Sequence, residues 1–288
     1  MLSIPASIIL TGALVALNAA LLGTFLVVRG QALVTDAISH GILPGIAVTI
    51  AVHGAVRGPG QLLAAATSGI ITVLIIDWLT ANKLRRDSAT GLVFPAFFAL
   101  GILILSLFAS EVRFSIDSVL LGEIGFVWAF ERTLFGLTLP SSVWALLAML
   151  GINTAFVLGA YRPLVLASFD NEFALLRGAK PRLVVLGLLV LTSITAVAAF
   201  EAVGVVLFMA FAIVPALAGQ LLFTRLAHIV WFALCSAALA AVVGYPLAVW
   251  LGASIAPVMA LATGLPLVGA IIARGVAAWR HGASGFRG

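Results

Sequence analysis

From Ser7 to Val28 the chain carries no charged side chain, and the same holds from Gly91 to Ser110, Pro140 to Ala160, Leu183 to Phe200 and Ala202 to Leu222. Each run is close to the ~20 residues that cross the hydrocarbon core of a bilayer as a helix. Between Ile229 and Ala273 only Cys235 and Tyr245 are ionisable, over about twice a span, and Gly252, Ser254 and Pro257 mark a break into two helices. Gln61 to Ala81 is a further span with one acid, Asp77, and Gln31 to Val56 is a span interrupted by Asp36, His40, Pro44 and His53. The runs predict eight or nine crossings of ~20 residues each.

Lipid is the only solvent that suits such a chain. With 63% hydrophobic and 9% charged residues and a mean hydropathy of +1.26, 288 residues cannot cover a water-soluble globule. Backbone groups in a bilayer find no water, which leaves helices or closed barrels, and long unbroken apolar runs are helical. The expected fold class is therefore all-α, a polytopic transmembrane helix bundle. No linker or low-complexity tract divides it, so residues 1–288 are read as one integral domain.

Basic loops stay on the cytoplasmic side of a membrane. With the N-terminus outside and nine spans, only Arg57, Arg113 and Arg132 of the 15 lysines and arginines fall outside, and the C-terminus is cytoplasmic. The net charge of +5 thus reflects topology, and no basic stripe with interleaved aromatics points to nucleic acid. The N-terminus lacks the basic n-region of a cleaved signal, so Ser7 to Val28 is read as a retained first helix. The single cysteine excludes an internal disulfide, and Cys235 is expected to pack as a small buried hydrophobe.

Two polar interludes stand out. Glu111 to Arg132 suits a short helix at the outer interface, or an extracellular loop anchored by Trp128. Ala167 to Lys180 reads as a short cytoplasmic amphipathic helix with Ser168 as N-cap and Gly178 as its stop, offering a docking surface or resting on headgroups.

An ionisable group inside a span costs ~2.5–3.5 kcal/mol on insertion scales, so each asks for a partner or a purpose. Asp36 and His40 are four apart, which puts them on one helix face with Cβ atoms ~5–6 Å apart. They fit either an intramembrane hydrogen-bonded pair or a carboxylate–imidazole site for a divalent cation. Gly41, Pro44 and Gly45 follow at once, and irregular backbone at membrane depth lines cavities, which favours the site. Glu201 is expected near the outer end of the bundle, as a loop residue or a further ligand. His53 lies towards the same end, while His228 and His281 sit among cytoplasmic bases.

The absences narrow the chemistry. Neither Lys83 nor Lys180 follows a glycine, so there is no phosphate-binding loop, and ATP, if used, is hydrolysed by another subunit. There is no CxxC, no HExxH, no hydrolytic triad and no methionine cluster that would suit copper(I).

The segment VVRGQALVTDAISHGILPGIAV (Val27 to Val48) resembles the signature of the manganese/zinc/iron-type ABC importer permeases (the ABC-3 family). Three further blocks match in order: RRDSATGLVFPAFFALGILILS (Arg85 to Ser106), SFDNEFALLRG (Ser168 to Gly178) and FEAVGVVLFMAFAIVPALAGQLL (Phe200 to Leu222). The resemblance implies a multi-pass inner-membrane subunit with no permanently bound cofactor, its cargo a divalent metal. It implies partnership with cytoplasmic ATPase subunits that use ATP, a second permease copy in a homodimer or heterodimer, an extracytoplasmic metal-binding protein, and lipid. Asp36 and His40 occupy the family's metal-handling positions, Glu201 precedes its Val-Gly as a further candidate metal ligand, and Phe169, Asp170, Glu172, Ala174 and Gly178 fall in the block resembling its coupling helix. The Phe200–Leu222 block leans to manganese over zinc, with iron left open. Where many members carry an acidic D-x-P-x-G, Val249 to Pro257 has no acid; Asp117, Gly122 and Glu123 match the outer block. Two rivals remain: a proton-coupled carrier in which Asp36 and His40 relay protons, and a membrane scaffold or enzyme.

Overall fold

The computed structural model describes residues 3–53, 59–108, 124–134, 136–169, 175 and 180–284. Long helices dominate: α1 Ile4–Val28, α2 Ala32–Gly41, α3 Leu43–His53, α4 Pro59–Ala81, α5 Arg86–Phe108, α6 Ser141–Gly159, α7 Tyr161–Phe169, α8 Pro181–Leu222, α9 Leu226–Leu251 and α10 Ile255–Ser284. A short 3-10 helix, Ile124–Ala129, precedes an antiparallel hairpin of β1 Glu131–Leu134 and β2 Leu137–Pro140. Among the described residues eight helical stretches are long and apolar enough to cross a membrane, with α2 and α3 together making one. The expected break between the last two helices falls where Gly252, in the left-handed conformation, ends α9.

The 42 residues of α8 merge two expected spans. At ~1.5 Å per residue a straight helix of that length would reach about 63 Å, twice the hydrocarbon thickness. It folds back instead. Gly204 adopts φ 77° and ψ 173°, a region essentially reserved for glycine. The rings of Phe200 and Phe208 meet edge to face at 5.3 Å, whereas eight helical residues would separate them by ~12 Å along an axis.

The packing orients the arms. Arg182, at the start of α8, bonds Asp77 near the end of α4, and Ile229, near the start of α9, lies against Gly219. Met259, early in α10, lies against Gly12 of α1. Both ends of α8 therefore share one end of the bundle with the C-terminus of α1, and Gly204 lies at the other. Leu183–Phe200 and Ala202–Leu222 are thus two crossings, as the sequence suggests, with the pivot three residues beyond Glu201.

The shared end is basic. Asp77 accepts from Arg182 Nε and Nη2 at 3.2 and 3.0 Å and from Arg86 Nη2 at 3.4 Å, so one carboxylate ties α4, α5 and α8. Arg29, between α1 and α2, donates to the carbonyl of Ala167 in α7. Burial, and secondarily the neighbouring Arg86 guanidinium, pull the Arg29 pKa down to about 10. Trp78 and Leu183, next to Asp77 and Arg182 in sequence, are exposed, as aromatic and apolar side chains are at a lipid boundary.

At mid-depth three fully buried polar residues tie α1, α6 and α8. Asn153 donates to Asn18 Oδ1 and to Thr195 Oγ1, both at 2.9 Å, and Asn18 donates to the carbonyls of Leu14 and Leu146. Such bonds hold helices together where burial of apolar surface supplies little drive.

Three expectations are corrected. Cys235 is exposed on α9 and not buried; α9 is apolar all round, so composition gave its cysteine no preferred face. Ser168 is inside the last turn of α7, its hydroxyl bonded to the Leu164 carbonyl, and does not cap a helix beginning after it. In the outer interlude the described part is a 3-10 turn running into a β-hairpin, whose alternating Thr133 and Thr138 hydroxyls meet at 2.9 Å; residues 111–123 lie outside the described residues.

Gly204→Ala is expected to lose roughly 1–3 kcal/mol through strain at its positive φ, read as a lower melting temperature in detergent. Gly264→Ala, where an added Cβ meets nothing, serves as the control and should not fall. Asp77→Asn strands the half-buried Arg86, with an expected loss of about 1–3 kcal/mol, and adding Arg86→Leu should restore part of it.

Candidate metal centre

Asp36 and His40 sit on α2, which enters the bundle from the basic end. Four and eight residues from Ala32, they lie about 6 and 12 Å in. Helical spacing brings Asp36 Oδ1 to 3.4 Å from His40 Nε2, and both side chains remain partly open, 33% and 22% exposed. Two aromatic rings from α5 hold the imidazole: Phe94 tilts against it at 4.9 Å and Phe98 meets it edge-on at 5.1 Å. Phe94 and Phe98 are themselves four apart, so one face of α5 supplies both. Counted from Arg86 they lie about 12 and 18 Å in, the depth of His40.

The site stands beside a helix break. α2 ends at Gly41 with Ile42 as its cap, and Pro44, lacking an N–H, cannot donate to the His40 carbonyl one turn back. Ser68 donates to the next carbonyl, that of Gly41, at 2.7 Å, and Thr72 approaches the same oxygen at 3.4 Å. These α4 hydroxyls satisfy a carbonyl that water cannot reach. Gly41 is required there, since a Cβ would run into the Thr72 side chain.

A metal ion with ligands at ~2.1 Å in tetrahedral array has ligand atoms ~3.4 Å apart. The Asp36–His40 separation matches that edge, so one ion can take both side chains with little movement. Hard oxygen and borderline nitrogen suit manganese or zinc and disfavour soft cations. Among the described residues no third His, Cys, Asp or Glu joins the pair. The pair makes two ligands of the four or more that such a dication takes.

Glu201 is not brought to this pair. Twenty residues along the first arm of α8, it stands about 30 Å from the basic end, exposed on a cavity that it shares with the start of α6 and the 3-10 turn. Phe169, the last residue of α7, is exposed; Asp170, Glu172, Ala174 and Gly178 lie outside the described residues, as do Asp117, Gly122 and Glu123. His53 ends α3, and His228 is exposed with Phe223 against its ring. Sequence reasoning missed Phe94, Phe98 and Ser68. The i,i+4 phenylalanines around Pro95 were the one visible signal.

The ABC 3 transport family matches this chain over residues 2–274. The manganese transport system membrane protein MntD of Bacillus subtilis (strain 168) is 37% identical over 265 residues, 92% of this chain and 90% of that protein. The zinc transport system membrane protein TroD of Treponema pallidum (strain Nichols) is 34% identical over 209 residues, 72% of this chain and 57% of that protein. Among solved structures, PsaBC from Streptococcus pneumoniae in complex with Fab superposes with a TM-score of 0.74 at 22% identity, covering 92% of this chain and 90% of that one.

Replacing Phe94 and Phe98 together by alanine should free the His40 ring. Ordering one side chain is worth about 0.5–1.5 kcal/mol, so manganese or zinc retention by the purified protein should weaken by roughly 3–10-fold.

Proposed function

The chain belongs to the ABC 3 transport family, a multi-pass membrane protein by its helices, and from that premise we propose that it is the membrane subunit of an ATP-driven importer of a divalent transition metal. The observation that carries the reading is the Asp36–His40 pair, set at chelating distance beside a helix break inside a membrane bundle. Manganese is the favoured cargo: the relative matched over 92% of the chain is a manganese transport protein, and the donor set suits that ion as well as zinc.

The basic end faces the cytoplasm by the positive-inside rule, which puts the N-terminus outside. The cation then descends from the outer mouth to a pair in the inner half of the bundle. A second copy of the permease, identical or related, brings its own carboxylate and imidazole or leaves room for water, completing the shell that the Asp36–His40 pair begins. Separate ATPase subunits dock at the segment after α7, where Phe169 presents an exposed ring beside Asp170, Glu172, Ala174 and Gly178. Arg29 holds the carbonyl of Ala167 two residues before that ring, so a push on the docking segment reaches the turn that leads into α2, the helix carrying Asp36 and His40. An extracytoplasmic binding protein delivers the metal to the other face.

Reconstitution in liposomes with the ATPase subunits tests this. ATP-dependent uptake of manganese is expected to fall to background in Asp36→Ala with His40→Ala, with assembly of the complex unchanged. Uptake that needs no ATPase and collapses with a proton ionophore would instead identify a proton-coupled carrier.

A further inference from the structure

A cavity of about 220 Å³ opens at the outer end of the bundle, lined by Glu201 and Ala202 of α8, Ser141 and Ser142 opening α6, and Phe126 and Phe130 beside the 3-10 turn. No ion pair of Glu201 occurs among the described residues, so its two oxygens are open to a ligand. Ser141, at the opening of α6, is exposed, so its hydroxyl is open to the same ligand. The rest of the described lining is apolar, Phe126, Val127, Phe130 and Ala202. Among the described residues the donors there are carboxylate and hydroxyl oxygens, a hard set suited to a divalent cation that keeps much of its water. The partial charge of about +0.5 at the first turn of α6 does not cancel the full charge of the carboxylate.

Size agrees with that occupant. At ~30 Å³ per water the cavity holds roughly seven, which is room for an ion with its hydration shell. Depth separates it from the metal centre. Glu201 stands about 30 Å from the basic end and Asp36 about 6 Å, so no single ion contacts both.

We propose that Glu201, with the Ser141 hydroxyl, forms an outer receiving site that holds a hydrated divalent cation before it reaches Asp36 and His40. The cargo class rests on the importer reading above; the site itself rests on the cavity. Oxygen-only, largely outer-sphere binding discriminates little between manganese and magnesium or calcium. Selection for a transition metal is left to the pair that offers an imidazole nitrogen. The site also abuts the fold in α8, three residues before Gly204, so an ion held there sits at the pivot between the two arms.

The test is manganese titration of the purified full-length protein by electron paramagnetic resonance. In a background of Asp36→Asn with His40→Ala, a weak manganese population should remain, be displaced by millimolar magnesium, and fall at least 10-fold on adding Glu201→Gln. Glu201→Asp should keep most of it, which separates ligand loss from misfolding. Absence of the weak population, or its indifference to Glu201→Gln in a protein with an unchanged melting temperature, would overturn the proposal. The importer reading fails separately, if the otherwise native protein binds manganese no more tightly than the Asp36→Asn, His40→Ala background.

Discussion

Water is absent where most of this backbone lies, and every departure from regular helix has to be satisfied from within. The structure meets that demand at two places, and both adjoin the ionisable residues that matter. Beside the break at Ile42, Ser68 and Thr72 from α4 bond the Gly41 carbonyl, which holds α2 and its Asp36–His40 pair against the neighbouring helix. At Gly204 the chain leaves helical geometry and turns back, and the rings of Phe200 and Phe208 meet edge to face across the bend. Irregular backbone at depth is tolerated where protein or a cavity surrounds it. The position of the candidate sites follows from that tolerance.

The same scarcity of water raises the worth of the few polar links between helices. Asn18, Asn153 and Thr195 join α1, α6 and α8 at mid-depth, while Asp77 joins α4, α5 and α8 at the basic end. The pairs differ in kind. The amide network is neutral and fully enclosed, so it sets register at modest electrostatic cost. The carboxylate is shared by two arginines, one half-buried and one 68% exposed, and the exposed partner contributes little of the pair's strength because solvent screens it.

Much of the fold was legible because long uncharged runs admit few other readings, and even the doubling of α8 could be counted from its length. Asp36 and His40 were legible for a local reason, since helical periodicity alone sets residues four apart on one face. What surrounds them was not. Phe94 and Phe98 come from another helix, and the Arg182 that completes the Asp77 cluster lies 105 positions away; nothing in a single sequence couples such positions. Cys235 was misplaced for the converse reason, as a helix apolar on every side carries no pattern to say which face meets lipid. Glu201 lies at the end away from the basic residues, and its companions in the cavity come from the turn before β1 and the start of α6; composition gave no hint of either.

The doubled α8 has a mechanical corollary. Each arm runs about 27–35 Å from the pivot at Gly204 to the basic face, so the element is a pair of levers hinged at one tip. A rotation of roughly 5° about that hinge carries the far end of an arm about 2.5 Å, and leaves residues beside the hinge almost where they were. Motion imposed from the basic face is thereby amplified at that face and vanishes at the opposite end. Such a bundle can rearrange its lower half around a stationary upper rim.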